Sequence, residues 1–395
     1  MRLGFYYHIP LNSSPDGLNV PSYLGVFLDA LASEVEKLLL FMHEANDIEA
    51  NHCDYLLKSS NIDYFTLGFK TPAWDRFLWP GKALRKIRAK VSECDVLLVR
   101  APSPLAPAFF KKFKKETKLA YLIVGDYAEV AQNLNQPWWR KLPISILSKY
   151  NDRQLTAVVR QSKTLVNSQK LFDKYNTVAV DLHLVRTTTL SEGDFYFRED
   201  TCQNDEINIL YTGRISFAKG LRELVEAFAI INRKRDNVIL NFVGWDYDLS
   251  KPVEKYLKSL ANNLGIAEKV IFHGFKSVGP ELNAMYRMAD IYVIPSYHEG
   301  FPRTIWEAMA NGLPVIATKV GSIPEFLKDD EDALLIEPHN AEKIAEAIFR
   351  IMEYVDYRKK LIHNGYLLAG ENTLEVQVAY ILERLSQPII KNSII

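Results

Sequence analysis

Short apolar runs alternate with amphipathic stretches along nearly the whole chain, so strands and helices are predicted in turn. In the first half the runs at 3–8, 38–42, 63–67, 96–99, 119–124, 165–167 and 180–185 read as strands. Helical periodicity stands out between them at 23–31 and 144–159. From 187 to 206 the alternation lapses into TTTLSEGDFYFREDTCQNDE, a polar and acidic run without sustained period that reads as an interdomain linker. It then resumes, with strands predicted at 207–211, 238–243, 270–272, 291–294, 315–317 and 333–336. Strands alternating with helices imply parallel sheets built from βαβ units. A chain of 395 residues also exceeds what one core usually serves. The expected architecture is α/β, with two doubly wound domains at 1–190 and 205–372.

Composition narrows the function classes. Hydrophobic residues make up 48% and charged residues 24%, an ordinary globular balance. With 48 basic and 48 acidic residues the net charge is zero, so no whole-chain attraction to nucleic acid is expected and any anion must be held locally. Cys53, Cys94 and Cys202 are far apart and lack metal-ligand spacing, which speaks against a disulfide framework and a zinc site. No stretch has the length and apolarity of a transmembrane helix, and MRLGFYYHIP lacks the pattern of a signal peptide. The expected location is cytoplasmic.

In doubly wound sheets ligands bind beyond the carboxyl ends of the strands. The stretch YTGRISFAKGLRELVEAF places Arg214 and Lys219 in one strand-to-helix loop, with Gly213 and Gly220 allowing close backbone approach. Two cations beside a helix N-terminus suit a diphosphate, although a solvated basic pair would read the same way. A second stretch, HEGFPRTIWEAMANGLPVIATKVG from 298, puts Glu299 in a loop and Glu307 one turn inside a helix among Ile305, Trp306, Ala308 and Met309. An enclosed carboxylate requires hydrogen-bond donors, which a ribose diol would supply. Pairing of Glu307 with Arg303 on an exposed helix face accounts for the same spacing.

Taken together, Gly213-Arg214, Lys219-Gly220, Glu299-Gly300-Phe301-Pro302, Glu307-Ala308-Met309-Ala310, Gly312-Leu313-Pro314-Val315-Ile316-Ala317 and Gly321 resemble the nucleotide-sugar half of family 4 glycosyltransferases, retaining enzymes of GT-B fold. The resemblance covers about 207–340 and fades before 200. It implies two Rossmann-like domains facing each other across a cleft, with the last helix, about 373–395, returning to the first domain. It implies that Arg214 and Lys219, with Gly213, hold the diphosphate and that Glu307 holds the ribose. Glu299 and the segment Gly300, Phe301, Pro302, Arg303 and Thr304 would meet the transferred sugar and its phosphate, and Phe275 and Lys276 the base. No metal or other cofactor is implied, since cationic groups and helix dipoles neutralise the leaving diphosphate. The triplet Asp246-Tyr247-Asp248 matches the metal signature of another glycosyltransferase fold, but so short a motif arises by chance.

The N-terminal half departs from the family. Its first loop, PLNSSPDGLNVPSYLG, lacks paired glycines, and Gly17 is the nearest counterpart. LAYLIVGDYAE offers Asp126 where the family often has a sugar-contacting histidine. His8, at the end of the first predicted strand, is a further catalytic candidate, although a lone histidine there is more often a structural hydrogen-bonding residue; Arg100 has the same topological position. KKFKKETK (111–118) and QPWWRKLP (136–143) combine basic residues with aromatics, as would suit peripheral contact with the inner face of a membrane carrying a lipid-linked acceptor. A solvated helix and core tryptophans would look the same.

The resulting expectation is a retaining transferase that moves a hexose from a nucleoside diphosphate sugar, UDP-glucose by default, to a growing glycan or lipid-linked oligosaccharide in exopolysaccharide or envelope synthesis. An epimerase of the same fold, or a catalytically silent sugar-nucleotide-binding protein, is the alternative. No GxGxxG follows a strand, which argues against a dinucleotide-dependent dehydrogenase.

Overall fold

The computed structural model describes residues 1–70, 75–76, 79–126, 138–186, 188–246, 248 and 250–389, with backbone alone at 138–141 and 143. Two units emerge: Met1–Thr187 with Gln377–Ile395, and Thr188–Val376.

The first unit contains β1 (Arg2–Ser14), β2 (Gly17–Val20), β3 (Lys37–Glu44), β4 (Tyr55–Leu56), β5 (Ile62–Phe69), β6 (Val96–Ala101), β7 (Lys118–Ile123), β8 (Lys163–Val166) and β9 (Asp181–Leu184). Seven of these form a parallel sheet in the order β5-β3-β1-β6-β7-β8-β9. Chain order reverses between β1 and β6, which makes that junction the switch point. The strands are apolar on both faces because helices cover both: Leu39 and Phe41 join one core, Leu38, Leu40 and Met42 the other. The helix Leu374–Ser386 adds Val378, Ile381 and Leu385 to the second of these cores.

One expectation fails here. The stretch after His8 is not an open loop, because β1 continues to Ser14, turns at Pro15-Asp16 and pairs antiparallel with β2, which pairs with β4. Pro and Asp suit a two-residue turn, and the polar Asn12-Ser13-Ser14 gave no apolar period to reveal the strand. Gly17 therefore lies in a hairpin, at φ +134°, where a Cβ would come within 2.8 Å of Leu56 Cδ1. Its glycine character answers to that packing.

The second unit contains β10 (Ile207–Thr212), β11 (Val238–Val243), β12 (Val270–Phe272), β13 (Ile291–Ile294), β14 (Val315–Thr318) and β15 (Leu334–Ile336). They form one parallel sheet ordered β12-β11-β10-β13-β14-β15, with its switch point between β10 and β13.

The predicted linker is a second correction: its residues from 188 onward fold as a strap on this unit. The Arg198 guanidinium donates to the carbonyls of Tyr286, Arg287 and Ala289 at the end of the helix Pro280–Met288, and to that of Asn311 after the helix Arg303–Ala310. One cation thus serves the carbonyl-rich ends of two helices. Asp200 meets Arg358 through hydrogen bonds of 2.6 and 3.0 Å, and Phe195 and Phe197 both set their rings edge-on to Tyr366. The strap is held by individual polar and aromatic contacts, which leave no periodic trace in sequence. Among the described residues no helix is long and apolar enough to cross a membrane.

Candidate functional site

The loops leaving β10 and β13 flank the switch point of the second unit and are locked together. Gly220, at φ +63°, lies so close to β13's outgoing loop that a Cβ would sit 2.0 Å from the Pro295 carbonyl oxygen. The Tyr297 amide donates to the Ala218 carbonyl at 3.0 Å. Gly213 is packed in turn by Gly244, whose own Cβ would fall 1.7 Å from the Gly213 carbonyl oxygen. These contacts need glycine at 220 and 244, since any side chain would displace backbone.

Lys219 and Glu299 meet across this junction. The Lys219 ammonium and the Ser296 hydroxyl both donate to Glu299 Oε1, the latter at 2.8 Å. Oε2 carries no hydrogen bond among the described residues, which leaves it as an acceptor. Arg214 is exposed on the same loop as Lys219. The helices Leu221–Asn232 and Arg303–Ala310 start at these two loops, and neither has a side-chain cap on its first amides. Such amides are donors for an anion. Gly300 is exposed, and its carbonyl accepts from the Ser322 amide at 2.9 Å. Phe301 stacks on Trp306 with ring centroids 4.5 Å apart, Pro302 precedes the helix and Arg303 is half-buried in its first turn.

Glu307 is buried, as its apolar neighbours suggested, but its donors come from the protein. Thr189 Oγ1 donates to Oε1 at 2.9 Å and the Tyr286 hydroxyl to Oε2 at 2.8 Å. Burial and the nearby Glu307 push the Tyr286 phenol well above its ordinary pKa, so it remains a donor. The chain of hydroxyls continues from Tyr286 to Thr212 (2.7 Å), Tyr292 (3.2 Å) and Thr304 (2.7 Å). Each carboxylate oxygen still has a lone pair for a ribose hydroxyl. The network fixes where Glu307 presents it.

Phe275 and Lys276 lie in the loop after β12, and Phe275 sets its ring 4.7 Å from that of Trp245, in a T-shaped pair. Trp245 lies two residues past β11, just as Arg214 lies two past β10, yet the strand reading passed over it. Both aromatics are substantially exposed, at 37% and 51%. Thr189, Tyr286 and Ser296 were also missed. Asp246 accepts from the amides of Val253 and Glu254 at the start of the helix Pro252–Asn263, and Asp248 accepts from Ser250, so both acids of the Asp-x-Asp triplet serve the turn.

In the first unit Asp126 is part of an ion triad: Lys174 Nζ lies 2.7 Å from Asp126 and 2.6 Å from Asp152. Burial works against the lysine's charge, but these hydrogen bonds outweigh it and raise its pKa. Lys174 thus gives Asp126 an ion-pair partner within the first unit. His8 and Arg100 lie on the neighbouring strands β1 and β6. In 111–118 the lysines 111, 114, 115 and 118 are exposed above buried Phe109, Phe110 and Phe113. Of QPWWRKLP, 136–137 and all side chains but that of Leu142 lie outside the described residues.

Comparison with known proteins places this arrangement. Residues 194–368 match the family model for glycosyl transferases group 1. An uncharacterized glycosyltransferase of Methanocaldococcus jannaschii is 35% identical over 163 residues, which is 41% of this chain and 40% of the relative. A D-inositol 3-phosphate glycosyltransferase of Paenarthrobacter aurescens is 31% identical over 157 residues, covering 40% and 38%. The chain therefore matches about two fifths of the length of these curated relatives. Over its whole length it is similar in fold to sucrose-phosphate synthase from Thermosynechococcus elongatus, with a TM-score of 0.70 at 20% identity over 98% of this chain and 99% of that one. Anabaena HepE in complex with UDP gives a TM-score of 0.70 at 18% identity over 98% and 100%. The fold is GT-B, and the similarity to the group 1 glycosyltransferases lies within residues 194–368.

Proposed function

We propose that this protein is a retaining glycosyltransferase that moves a hexose from a nucleoside diphosphate sugar to a hydroxyl of a growing glycan, in exopolysaccharide or envelope polysaccharide synthesis. The observation that carries the reading is the meeting of Lys219 and Glu299 at the switch point of the second sheet. A cation and a carboxylate side by side match the two halves of such a donor, phosphate and sugar.

In this reading Arg214, Lys219 and the first amides of the helices Leu221–Asn232 and Arg303–Ala310 hold the diphosphate and stabilise its charge as it leaves, so no metal is required. Glu307 receives the ribose hydroxyls, Glu299 Oε2 a hydroxyl of the transferred sugar, and the Trp245–Phe275 pair the base. The acceptor oxygen bonds to the anomeric carbon as the bond from that carbon to the phosphate oxygen breaks. The acceptor's proton passes to the departing phosphate, which lies on the same face, and configuration is retained. Because that phosphate acts as the base, few protein acid–base groups are needed.

UDP-glucose is the first donor to try, since an Anabaena HepE structure holds that compound. The test is release of free nucleoside diphosphate from a panel of nucleotide sugars, for the parent and for Glu299→Ala and Arg214→Ala. Release by the parent and its loss in both variants are expected. Normal turnover in the variants, or no binding of any nucleotide sugar, overturns the reading, and an inverted anomeric centre in the product removes the retaining mechanism.

A further inference from the structure

The hydroxyls that run from Glu307 into the second unit have a fixed direction. A carboxylate only accepts, and each hydroxyl has one hydrogen to give. Thr189 and Tyr286 spend theirs on Glu307, at 2.9 and 2.8 Å. The 2.7 Å contact between Tyr286 and Thr212 must then use the hydrogen of Thr212. Thr212 Oγ1 is thereby left as an acceptor toward Tyr292. The hydrogen of Tyr292 has three oxygens to choose from: Thr304 Oγ1 at 2.7 Å, Thr212 Oγ1 at 3.2 Å and the Thr212 carbonyl at 3.4 Å. The first has the length of a good O–H···O bond, so Tyr292 donates to Thr304.

Thr304 Oγ1 therefore accepts from inside, and its own hydrogen ends the chain. Among the described residues the bond from Tyr292 is the one hydrogen bond that the Thr304 hydroxyl makes. Thr304 is half-buried in the first turn of the helix Arg303–Ala310, at the end without a side-chain cap. Its hydrogen joins the first amides of that helix as a donor for an anion. Neither tyrosine breaks the order by ionising, because both are fully buried and burial pushes both phenols above their ordinary range. Tyr292 is also fixed by the sheet, where it pairs with Leu210 of β10 on one side and Val315 of β14 on the other.

We propose that Tyr292 is a positioning residue for the diphosphate of the donor, a role that rests on the proposed function because the ligand is that of the same site. By occupying a lone pair of Thr304 it holds that hydroxyl as a donor to a phosphate oxygen. Through Thr212 and Tyr286 it ties this donor to the carboxylate that receives the ribose. A phosphate oxygen only accepts and so matches a donor of fixed direction. Tyr292 itself is 0% exposed and touches no ligand, so its effect passes through Thr304.

The test is calorimetric titration of the full chain with UDP, ADP and GDP, and with the nucleoside of whichever diphosphate binds most tightly. The proteins are the parent, Tyr292→Phe, Thr304→Val and the double variant. Tyr292→Phe keeps the ring and removes the hydroxyl. It is expected to weaken the diphosphate about three- to tenfold while the nucleoside changes by less than about twofold. In the Thr304→Val background no hydroxyl is left to orient, and adding Tyr292→Phe is expected to change diphosphate affinity by less than about twofold. Equal weakening of diphosphate and nucleoside would make Tyr292 a residue of the core alone and overturns the proposal. So does a Tyr292→Phe effect as large in the Thr304→Val background as in the parent, or unchanged diphosphate binding in Tyr292→Phe. Should Tyr292→Phe not fold, Thr304→Val decides: unchanged diphosphate binding overturns the proposal, and a loss of about three- to tenfold that Thr304→Ser restores supports it. Failure of UDP, ADP and GDP alike to bind the parent removes the donor site, and the role of Tyr292 with it. Binding by the parent with any of the overturning patterns removes that role alone.

Discussion

Lys219 and Glu299 are 80 residues apart in the chain and form one ion pair at the switch point of the second sheet. Their side chains are 12% and 11% exposed, so removing one leaves the other enclosed and uncompensated. The consequences differ in sign for a diphosphate. Lys219→Ala removes a cation and leaves a repelling carboxylate, and is expected to weaken nucleoside diphosphate binding about 10- to 100-fold. Glu299→Ala releases the lysine, so the diphosphate binds no more weakly while sugar turnover falls about 100-fold. Calorimetry and single-turnover kinetics on both variants and on the double variant check this. Strictly additive effects would show that the two side chains do not act as a pair.

Gly321 sets the position of the same carboxylate from below. A Cβ there would lie 1.9 Å from the Glu299 carbonyl oxygen, and its φ of +56° is one that an L residue rarely adopts. Gly321→Ala must push the Glu299 backbone aside. A shift of about 1 Å at a reacting centre costs on the order of 100-fold in rate. Turnover is expected to fall by about that factor, with a melting temperature lowered by only a few degrees for the roughly 1–2 kcal/mol of backbone strain. Parent-like turnover would mean that the loop tolerates the displacement.

The legible parts of this fold are those with a hydrophobic period. The run at 238–243 is β11 itself and 38–42 lies within β3, because strands buried on both faces read as continuous apolar runs. β2 and β4 pair at a polar hairpin and left no such trace, and neither did the strap from 188 onward, whose order comes from Arg198 and Asp200. The candidate site divides the same way. Lys219 and Glu299 could be found because they lie in loops after strands, whereas Thr189 comes from the strap and Tyr286 from a helix face turned inward. His43 closes the run LLLFMH, where it looks like core; only the sheet order sets it beside His8 and Lys70.

The Asp200–Arg358 pair fastens the strap to the second unit. The side chains are 9% and 2% exposed, and Arg358 also donates to the Ile351 and Met352 carbonyls at the end of the helix Ala341–Glu353. Burial alone would raise the Asp200 carboxyl, but the hydrogen bonds from Arg358 and from the Thr201 amide outweigh it and hold the pKa below its ordinary value. The pair's contribution is therefore present above the unfolded carboxyl pKa of about 4 and is lost as pH falls through the lower folded value. Asp200→Asn strands a buried guanidinium and is expected to cost about 3–5 kcal/mol, while Asp200→Ala with Arg358→Met costs less than Asp200→Asn. Denaturant midpoints with unchanged slopes measure both. An Asp200→Asn loss under about 1 kcal/mol would show the pair to be incidental.

The histidines of the first unit give acid sensitivity at a higher pH. With folded pKa values of about 3 for His8 and about 4 for His43, against about 6.5 unfolded, both rings stay neutral in the fold while the unfolded chain takes up protons. Stability therefore falls as pH drops below about 6.5, by at most about 1.4 kcal/mol per pH unit for each ring. Lys70, Arg76, Arg100 and Glu49 act on the rings and His43 acts on His8, and of these only Glu49 favours protonation. Replacing both histidines with glutamine is expected to flatten the dependence between about pH 7 and about pH 5 relative to the parent. Arg100→Met, which removes one repelling charge from His8, should flatten it in part. Unfolding midpoints across this pH range decide the matter: equal slopes for parent and double variant would mean that neither ring is held neutral by the fold.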